Sequence, residues 1–298
     1  MTPAETGAQE VSLAGLVDLH VHSSPDVRPR YGDDLQVAQD AADAGMRAIL
    51  LKSHDTLTAD RASIAEKVIA ERAAARGAAV PALRVLGGLA LNQPAGGLNP
   101  AAVESALRLG ARCIWMPTHD SRNHRAYAGR AGGITILGED GGIASPVFEI
   151  MDLIREHDAV LATGHLSAAE SLLLIRAAMR RGLDRLLVTH PDTAFVHMPN
   201  DIQRELAAAG AALERCFVDT TDKPGALTTA FLAQQIREIG YATTILTTDL
   251  GQAHNPSPVT GLRAYVAALT AEGLSPKELH HMAGTLPAAL IGLGESVA

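Results

Sequence analysis

The chain has 298 residues, of which 47% are hydrophobic and 3% aromatic, and its formal net charge is −8 at pH 7. This charge disfavours nucleic acid and anionic membrane surfaces as partners, and no apolar run reaches the roughly 18 residues that a membrane span requires. The first residues lack the apolar segment of a signal peptide, so we expect a cytoplasmic protein with a flexible N-terminus (residues 1–10) and one domain (residues 11–298).

Short apolar runs alternate with longer segments of helical pattern along the whole chain. Eight of these runs predict strands: Leu16–His22, Arg47–Ser53, Leu83–Ala90, Arg112–Thr118, Ala159–Gly164, Arg185–His190, Leu213–Asp219 and Thr243–Thr248. Each is followed by a segment with helix signals, which is the pattern of consecutive βα units. Eight such units with continuously apolar strands predict an α/β fold of the (β/α)8 TIM-barrel type. An open doubly wound sheet is the alternative, although no GxGxxG motif follows the first strand.

The predicted helices have recognisable ends. Asn99 and Ser145 each precede a proline, which is the arrangement of an N-cap residue before the first helical position. Two further starts have the Ser-x-x-Glu spacing of a capping box, at Ser167–Glu170 and Ser275–Glu278. Glycines that follow the helical patterns predict helix ends at Gly45, Gly110, Gly182 and Gly210.

Two regions depart from the strand–helix alternation. Residues His119–Gly142, after the fourth strand, form a long segment with several glycines, which we expect to be a hairpin or a lid-like insertion over the site. Residues Gly273–Leu293 predict helices that pack after the barrel closes. The two cysteines, Cys113 and Cys216, lie in apolar runs and are expected to be buried thiols rather than a disulfide.

Half of the 12 histidines fall at or just after the ends of predicted strands. In a parallel barrel the carboxyl ends of all strands meet at one rim, where active sites lie. The polar residues predicted at this rim are His20, His22, Lys52, His54, His119, His165, His190 and Asp249. Because side chains alternate along a strand, His20 and His22 face the same side and can reach one ion. Imidazole and carboxylate groups bind Zn²⁺, Fe²⁺ and Mn²⁺, so the rim is predicted to hold a divalent metal.

Four motifs resemble the amidohydrolase superfamily of metal-dependent hydrolases: DLHVH on strand one, TGH on strand five, TH on strand six and TTD on strand eight. The C-terminal LSPKELHHMAGTLPAALIGL is similar to its terminal helices, so the resemblance covers nearly the whole chain. It implies that His20, His22 and Asp249 bind a first metal and that Asp249 accepts a proton from the attacking water. In two-metal members His165 and His190 bind a second metal. In one-metal members His165 joins the first site, and His190 orients water or polarises the substrate.

The fourth strand departs from the superfamily pattern. Two-metal members present a carboxylated lysine or a glutamate there as a bridge, and RCIWMPTHD offers neither. His119 is the nearest candidate, and Lys52 on strand two is another if its amine is carbamylated. The alternative for Lys52 is a plain ammonium that binds a substrate anion. We therefore expect one or two ions per chain, with one favoured, and zinc ahead of manganese or iron.

Cationic residues in the rim loops predict a small anionic substrate, because arginine matches the geometry of carboxylate and phosphate groups. The candidate substrate-binding residues are Arg28, Arg30, Lys52, His54, Arg122 and His124. Pairing of these arginines with neighbouring carboxylates is the alternative, and a homo-oligomer is left open.

The sequence thus predicts a hydrolase that cleaves an amide, lactone or related C–N or C–O bond through metal-activated water. Its predicted catalytic residues are Asp249, His190 and His119. Three alternatives stay open: a one-metal decarboxylase or lyase of a small carboxylic acid, a phosphoesterase of the polymerase-and-histidinol-phosphatase (PHP) family, and a metal-binding barrel without activity. The PHP family opens with a similar DLHVHS string but has a seven-stranded barrel.

Overall fold

The computed structural model describes residues 11–77, 83–223 and 225–294, so the expectation for residues 1–10 lies outside the described residues. Eight parallel strands alternate with helices. The strands are β1 (Val17–Val21), β2 (Ala48–Leu51), β3 (Arg84–Ala90), β4 (Cys113–Trp115), β5 (Val160–Ala162), β6 (Leu186–Val188), β7 (Ala212–Cys216) and β8 (Thr244–Thr247). The helices are α1 (Asp34–Asp43), α2 (Ala59–Ala75), α3 (Pro100–Arg108), α4 (Arg122–Tyr127), α5 (Ser145–Glu156), α6 (Ala168–Arg180), α7 (Asn200–Ala208), α8 (Thr229–Ile239), α9 (Pro258–Ala271), α10 (Pro276–His280) and α11 (Leu286–Leu290).

The strands pair in chain order from β1 to β8, each parallel to the next. The backbone N–H of Asp249, just after β8, donates to the carbonyl oxygen of His20 at 2.8 Å, and Val21 bridges Leu250. These contacts bring the last strand back to the first and confirm the predicted TIM barrel. Eight strands do not match the seven-stranded barrel of the PHP alternative. Among the described helices, none combines the length and apolarity needed to cross a membrane.

Several strands are shorter than predicted, because the polar residues at their carboxyl ends leave the hydrogen-bonded ladder. His190 (φ 52°) and Asp249 (φ 51°) both have left-handed backbone, which turns the chain out of the barrel wall. The seventh strand was predicted to reach Asp219, but β7 ends at Cys216 and a 3₁₀ turn, Phe217–Thr220, follows. The residues predicted at the rim therefore lie at strand ends and in the turns just beyond them.

Most of the predicted helix ends are confirmed. The Asn99 side chain accepts a hydrogen bond from the N–H of Ala101, and both capping boxes are formed. The four predicted C-terminal glycines each have positive φ. Ser145 was wrongly predicted as a cap: α5 begins at Ser145 itself, and Ala144 occupies the cap position without a side-chain hydrogen bond.

The apolar core has an inner layer within the barrel and an outer layer between the strands and the helices. Trp115 lies in the inner layer, fully buried, and its ring packs 6.3 Å from the ring of His20 between centroids. Ala288 and Leu290 of α11 join the same cluster, so the predicted C-terminal helices pack against the barrel.

The segment after β4 is tied to the barrel at several points. It contains α4, Ser121 bridges Ile134, and Leu137 pairs antiparallel with Ile143. Ile136 is completely buried in the outer core. This anchoring positions His119 and His124 over the rim; whether the segment opens as a lid stays a prediction.

Gly164, next to His165, allows β5 to pass close to the chain after β4. Its φ is +60°, and a Cβ there would lie 2.2 Å from the carbonyl oxygen of Met116. We expect Gly164→Ala to lower the free energy of unfolding by about 3 kcal/mol, from left-handed strain together with displacement of the backbone. Urea denaturation measures the loss.

Gly210→Ala is the matched control, because Gly210 also has positive φ (+91°) but would place its Cβ in open space. Strain alone predicts a loss of about 1 kcal/mol there. Equal losses in the two variants would show that the contact with Met116 is unimportant.

Candidate metal centre

Three imidazoles converge on one carboxylate at the carboxyl rim of the barrel. Asp249 Oδ1 lies 3.0 Å from Nε2 of His20 and 3.0 Å from Nε2 of His22, and Asp249 Oδ2 lies 3.4 Å from Nε2 of His190. The three histidines are buried, whereas the Asp249 side chain is 15% exposed. The barrel therefore joins residues that end β1, β6 and β8 into one cluster, as the sequence predicts.

The charges of this cluster are strongly coupled. Burial by itself would raise the pKa of Asp249, but the charge of His20 and the hydrogen bonds of His20 and His22 hold that pKa well below its usual range. Burial would lower the pKa of His20, but Asp249 and Glu214 raise it to about 9. Burial lowers the pKa of His22 to about 3. The cluster thus combines an ionised carboxylate, a basic imidazole and a neutral one.

Two further carboxylates contact the Nδ1 atoms of His20 and His190, on the side of each ring away from Asp249. Glu214 Oε1 lies 3.0 Å from His20 Nδ1, and Asp219 Oδ2 lies 3.3 Å from His190 Nδ1. A carboxylate in this position fixes the tautomer, so that Nε2 keeps a lone pair facing the site. Neither role was predicted from the sequence, although a glutamate within the buried run ALERC indicates a buried partner for a polar group.

Lys52 lies directly beside these residues at the end of β2. Its Nζ is 2.9 Å from His20 Nε2 and 5.2 Å from the centroid of the Trp115 ring, and the side chain is fully buried. Burial lowers the pKa of the Lys52 amine. Because Lys52 meets a predicted ligand nitrogen, an ion bound by His20 would replace this hydrogen bond.

Four other histidines lie next to the cluster and contact one another. His119 is 3.1 Å from His54 and 3.1 Å from His124, between ring nitrogens, and His124 is 3.0 Å from His165. Burial lowers the pKa of His119 to about 3 and that of His124 to about 4, and holds those of His54 and His165 well below 6.5. His124, predicted only as a substrate residue, is therefore part of a second histidine group.

The predicted substrate arginines have different surroundings. Arg28 pairs with Asp55 at 2.5 Å and keeps 45% of its side chain exposed. Arg30 is buried and pairs with the buried Asp26 at 2.9 Å. Arg122 is exposed and lines a cavity of about 450 Å³ together with Glu170. Arg28 and Arg30 therefore pair with neighbouring carboxylates, as the alternative interpretation predicted.

The two cysteines are free buried thiols, as expected. Cys216, on β7, offers its sulfur within 4.8 Å of ligand atoms of His20, His190 and Asp249. Its Sγ lies 3.2 Å from Thr247 Oγ1, and burial raises the pKa of the thiol well above its usual value. Cys216 therefore packs against the cluster in its protonated form.

The donor atoms fit a divalent metal. Tetrahedral Zn²⁺ with bonds of 2.0–2.1 Å places its ligand atoms about 3.3 Å apart, close to the separations around Asp249. His20, His190 and Asp249 offer ligand atoms within 4.8 Å of one another, and His22 contacts the same oxygen of Asp249 as His20. These four residues would hold the ion.

The fold is shared with several solved structures. An amidohydrolase from Pseudomonas aeruginosa superposes with a TM-score of 0.62 at 12% identity, over 93% of this chain and 95% of that one. A putative 2-pyrone-4,6-dicarboxylic acid hydrolase from Pseudomonas putida gives 0.56 at 15% identity, over 96% and 100%. A 2,6-dihydroxybenzoate decarboxylase from Rhizobium gives 0.54 at 15% identity, over 95% and 100%. The class of protein is therefore defined by its fold, the TIM barrel that these solved structures share.

By sequence, residues 15–214 match the model of a family described as a family of unknown function, DUF6282, and the chain belongs to that family. The matched residues include His20, His22, His165 and His190 and end within β7, before Asp249. No curated protein matches the chain by sequence.

Glu214→Gln tests the arrangement behind His20. The amide keeps the size of the side chain but removes the charge that fixes the His20 tautomer, so we expect divalent-metal affinity to fall about 10- to 100-fold. Competition with a zinc-binding dye measures the affinity. Glu205→Gln, at an exposed ion pair with Arg176, should leave it unchanged; equal effects in both variants would contradict the role of Glu214.

Proposed function

We propose that the protein is a metal-dependent hydrolase that cleaves an amide, lactone or related C–N or C–O bond in a small anionic substrate. The observation that supports this most directly is the convergence of three Nε2 atoms on the carboxylate of Asp249 at the barrel rim. The P. aeruginosa and P. putida structures that share the fold are named as hydrolases, which agrees with this class of reaction.

A divalent ion bound by His20, His22, His190 and Asp249 would supply a Lewis acid and lower the pKa of water toward about 7. Asp249 is suited to accept the proton of the attacking water, because its side chain is the most exposed of the four. Its strongly lowered pKa keeps the carboxylate ionised before the reaction.

His190 and His119 would have different roles at the site. His190 is held by Asp219 at Nδ1, so that its Nε2 keeps a lone pair for the ion. His119 is only partly buried and lies in the insertion after β4, but both of its ring nitrogens contact other histidines, so its part in assisting the leaving group stays a prediction.

Basic side chains near the site support an anionic substrate. Lys52 places its buried amine 2.9 Å from Nε2 of His20. Arg28 is close enough to His119 to help lower the pKa of that ring, after burial, His124 and Lys52. Arg28 is also half-exposed, so a substrate carboxylate can reach it from solvent.

One ion per chain is proposed. Among the described residues, two groups of ligand atoms lie close together, and only the group that contains Asp249 includes a carboxylate. The other group consists of His119, His124 and His165. We expect elemental analysis to find about one zinc, manganese or iron ion per chain in the purified protein. His20→Ala should lose it. Two ions in the wild type, or one retained by His20→Ala, would contradict the one-ion site.

Asp249→Asn tests the reaction. The amide cannot accept the proton of the attacking water, so turnover should fall by at least about 100-fold while far-UV circular dichroism stays unchanged. A panel of carboxylate-bearing amides and lactones in H₂¹⁸O measures hydrolysis, which must place one ¹⁸O atom in the product. Asp140→Asn, in the exposed turn Glu139–Gly142, is the control. Full turnover in Asp249→Asn would refute the assigned base.

A one-metal decarboxylase is the second candidate, favoured by the contact between the Lys52 amine and His20, which places a hydrogen-bond donor for a carboxylate beside the proposed ion site. One of the barrels with the same fold is a 2,6-dihydroxybenzoate decarboxylase. Release of CO₂ from a small carboxylic acid without ¹⁸O in the organic product would establish this reaction in place of hydrolysis.

A further inference from the structure

Four histidines form a hydrogen-bonded chain beside the candidate metal centre. It runs from His54 Nε2 to His119 Nε2 at 3.1 Å, and from His119 Nδ1 to His124 Nε2 at 3.1 Å. It ends with His124 Nδ1 and His165 Nδ1, which are 3.0 Å apart. The last ring nitrogen, His165 Nε2, is buried and without a hydrogen-bond partner in the described part of the protein. The chain therefore has one engaged end and one free end.

The engaged end is fixed by Asn92. The backbone N–H groups of Thr118 and Asp120 donate to Asn92 Oδ1 at 2.8 and 3.2 Å, which decides which side of the amide is oxygen. The amide nitrogen then donates to the carbonyl oxygen of His54 at 2.8 Å and to Thr118 Oγ1 at 2.6 Å. Thr118 Oγ1 is thereby an acceptor toward Asn92.

The Thr118 hydroxyl hydrogen needs an acceptor of its own, because this side chain is completely buried. The other group within hydrogen-bond distance of Oγ1, among the described residues, is His54 Nδ1 at 2.8 Å. Thr118 therefore donates to His54.

This donation sets the tautomer of each neutral ring in turn. His54 accepts at Nδ1, so its hydrogen is on Nε2 and is donated to His119. His119 then carries hydrogen on Nδ1 and donates to His124, which carries hydrogen on Nδ1 and donates to His165. His165 accepts at Nδ1, and its own hydrogen is on Nε2.

We propose that this chain holds His165 as an Nε2–H donor that binds an oxygen atom of the substrate and does not ligate a metal ion. The reverse chain would leave the Thr118 hydroxyl hydrogen unpaired inside the protein. The chain that begins with donation by Thr118 leaves one hydrogen without an acceptor among the described residues, the Nε2–H of His165. The ring of His165 lies 5.4 Å from that of His190 between centroids. A nitrogen that carries hydrogen has no lone pair for an ion. The proposal depends on the proposed function for the presence of a substrate, and it changes the role that the superfamily resemblance implies for His165.

The same rings could be taken for an ion site, since His119, His124 and His165 each offer a nitrogen within 4.8 Å of the others. The pairing favours the chain. His124 meets His119 with Nε2 and His165 with Nδ1, so the two contacts use opposite sides of its ring. A shared ion needs all three rings to point one nitrogen at a single position.

The tautomers can be measured directly. Two-bond ¹H–¹⁵N spectra of protein with ¹⁵N-histidine distinguish Nδ1–H from Nε2–H rings, with assignment by single His→Gln variants. We expect Nε2–H at His54 and His165 and Nδ1–H at His119 and His124 in the metal-free protein. Hydrogen on Nδ1 of His165 would overturn the proposal, whatever the protein catalyses.

Thr118→Val removes the hydroxyl that sets the chain while keeping the shape of the side chain, and Thr118→Ser retains it. We expect His165 to show a mixture of tautomers in Thr118→Val and pure Nε2–H in Thr118→Ser. The circular dichroism of both variants reports folding. A pure Nε2–H signal at His165 in folded Thr118→Val would refute the control of His165 by Thr118.

Metal titration separates the two roles of His165. With Zn²⁺ as the probe, His165→Gln should change the dissociation constant less than about threefold, whereas His190→Gln should weaken binding at least about tenfold. Equal losses in the two variants would make His165 a ligand and overturn the proposal. If the wild type binds no divalent ion, the proposed function fails, while the tautomer spectra still decide the chain.

Discussion

The barrel and the candidate site depend on the same residue, Asp249. Its backbone N–H donates to the carbonyl oxygen of His20 and thereby joins the end of β8 to β1, while its carboxylate meets the imidazoles of His20, His22 and His190. Left-handed backbone at Asp249 makes both contacts possible and costs about 1–3 kcal/mol in a residue other than glycine. Such a conformation persists because the strand pairing and the imidazoles fix it together. Closure of the barrel and assembly of the site are therefore one structural event.

The seven rim histidines form two networks, which differ in the polar groups that contact the ring nitrogens. Carboxylates lie behind two of the first three rings: Glu214 behind His20 and Asp219 behind His190. A carboxylate accepts the far N–H and leaves the near nitrogen with a lone pair, as a metal requires. The second network has no carboxylate among its described ring-to-ring contacts, and its polarity begins at an amide and a hydroxyl, Asn92 and Thr118. Histidine therefore offers nitrogen lone pairs in the first network and an N–H group in the second.

Much of the fold could be predicted because its signals are local. Apolar runs, cap residues such as Asn99 and the capping box at Ser167 act within a few residues, and the structure confirms them. Ser145 was predicted wrongly because a serine before a proline fits either the cap or the first turn of a helix, and only the path of the preceding chain decides between them. The strand ends were overextended for the same reason, since a polar residue that follows an apolar run can continue the strand or turn out of it.

The candidate site was predictable as a set of strand ends but not as a network. Arg28 and Arg30 illustrate the limit: their charge is plain in the sequence, but their pairing with Asp55 and Asp26 depends on how two loops meet. The role of Glu214 likewise depends on which face of β7 turns into the barrel.

The sequence by itself determined the eight βα units and the residue types at the rim, because periodicity and chain order are enough to place strand ends together in a closed barrel. It also carried the motifs that resemble those of the amidohydrolase superfamily. Only the tertiary structure decided which nitrogen of each histidine faces which partner. That choice depends on hydrogen bonds between residues far apart in the chain, such as the contact of His20 with Glu214, for which the sequence contains no spacing rule.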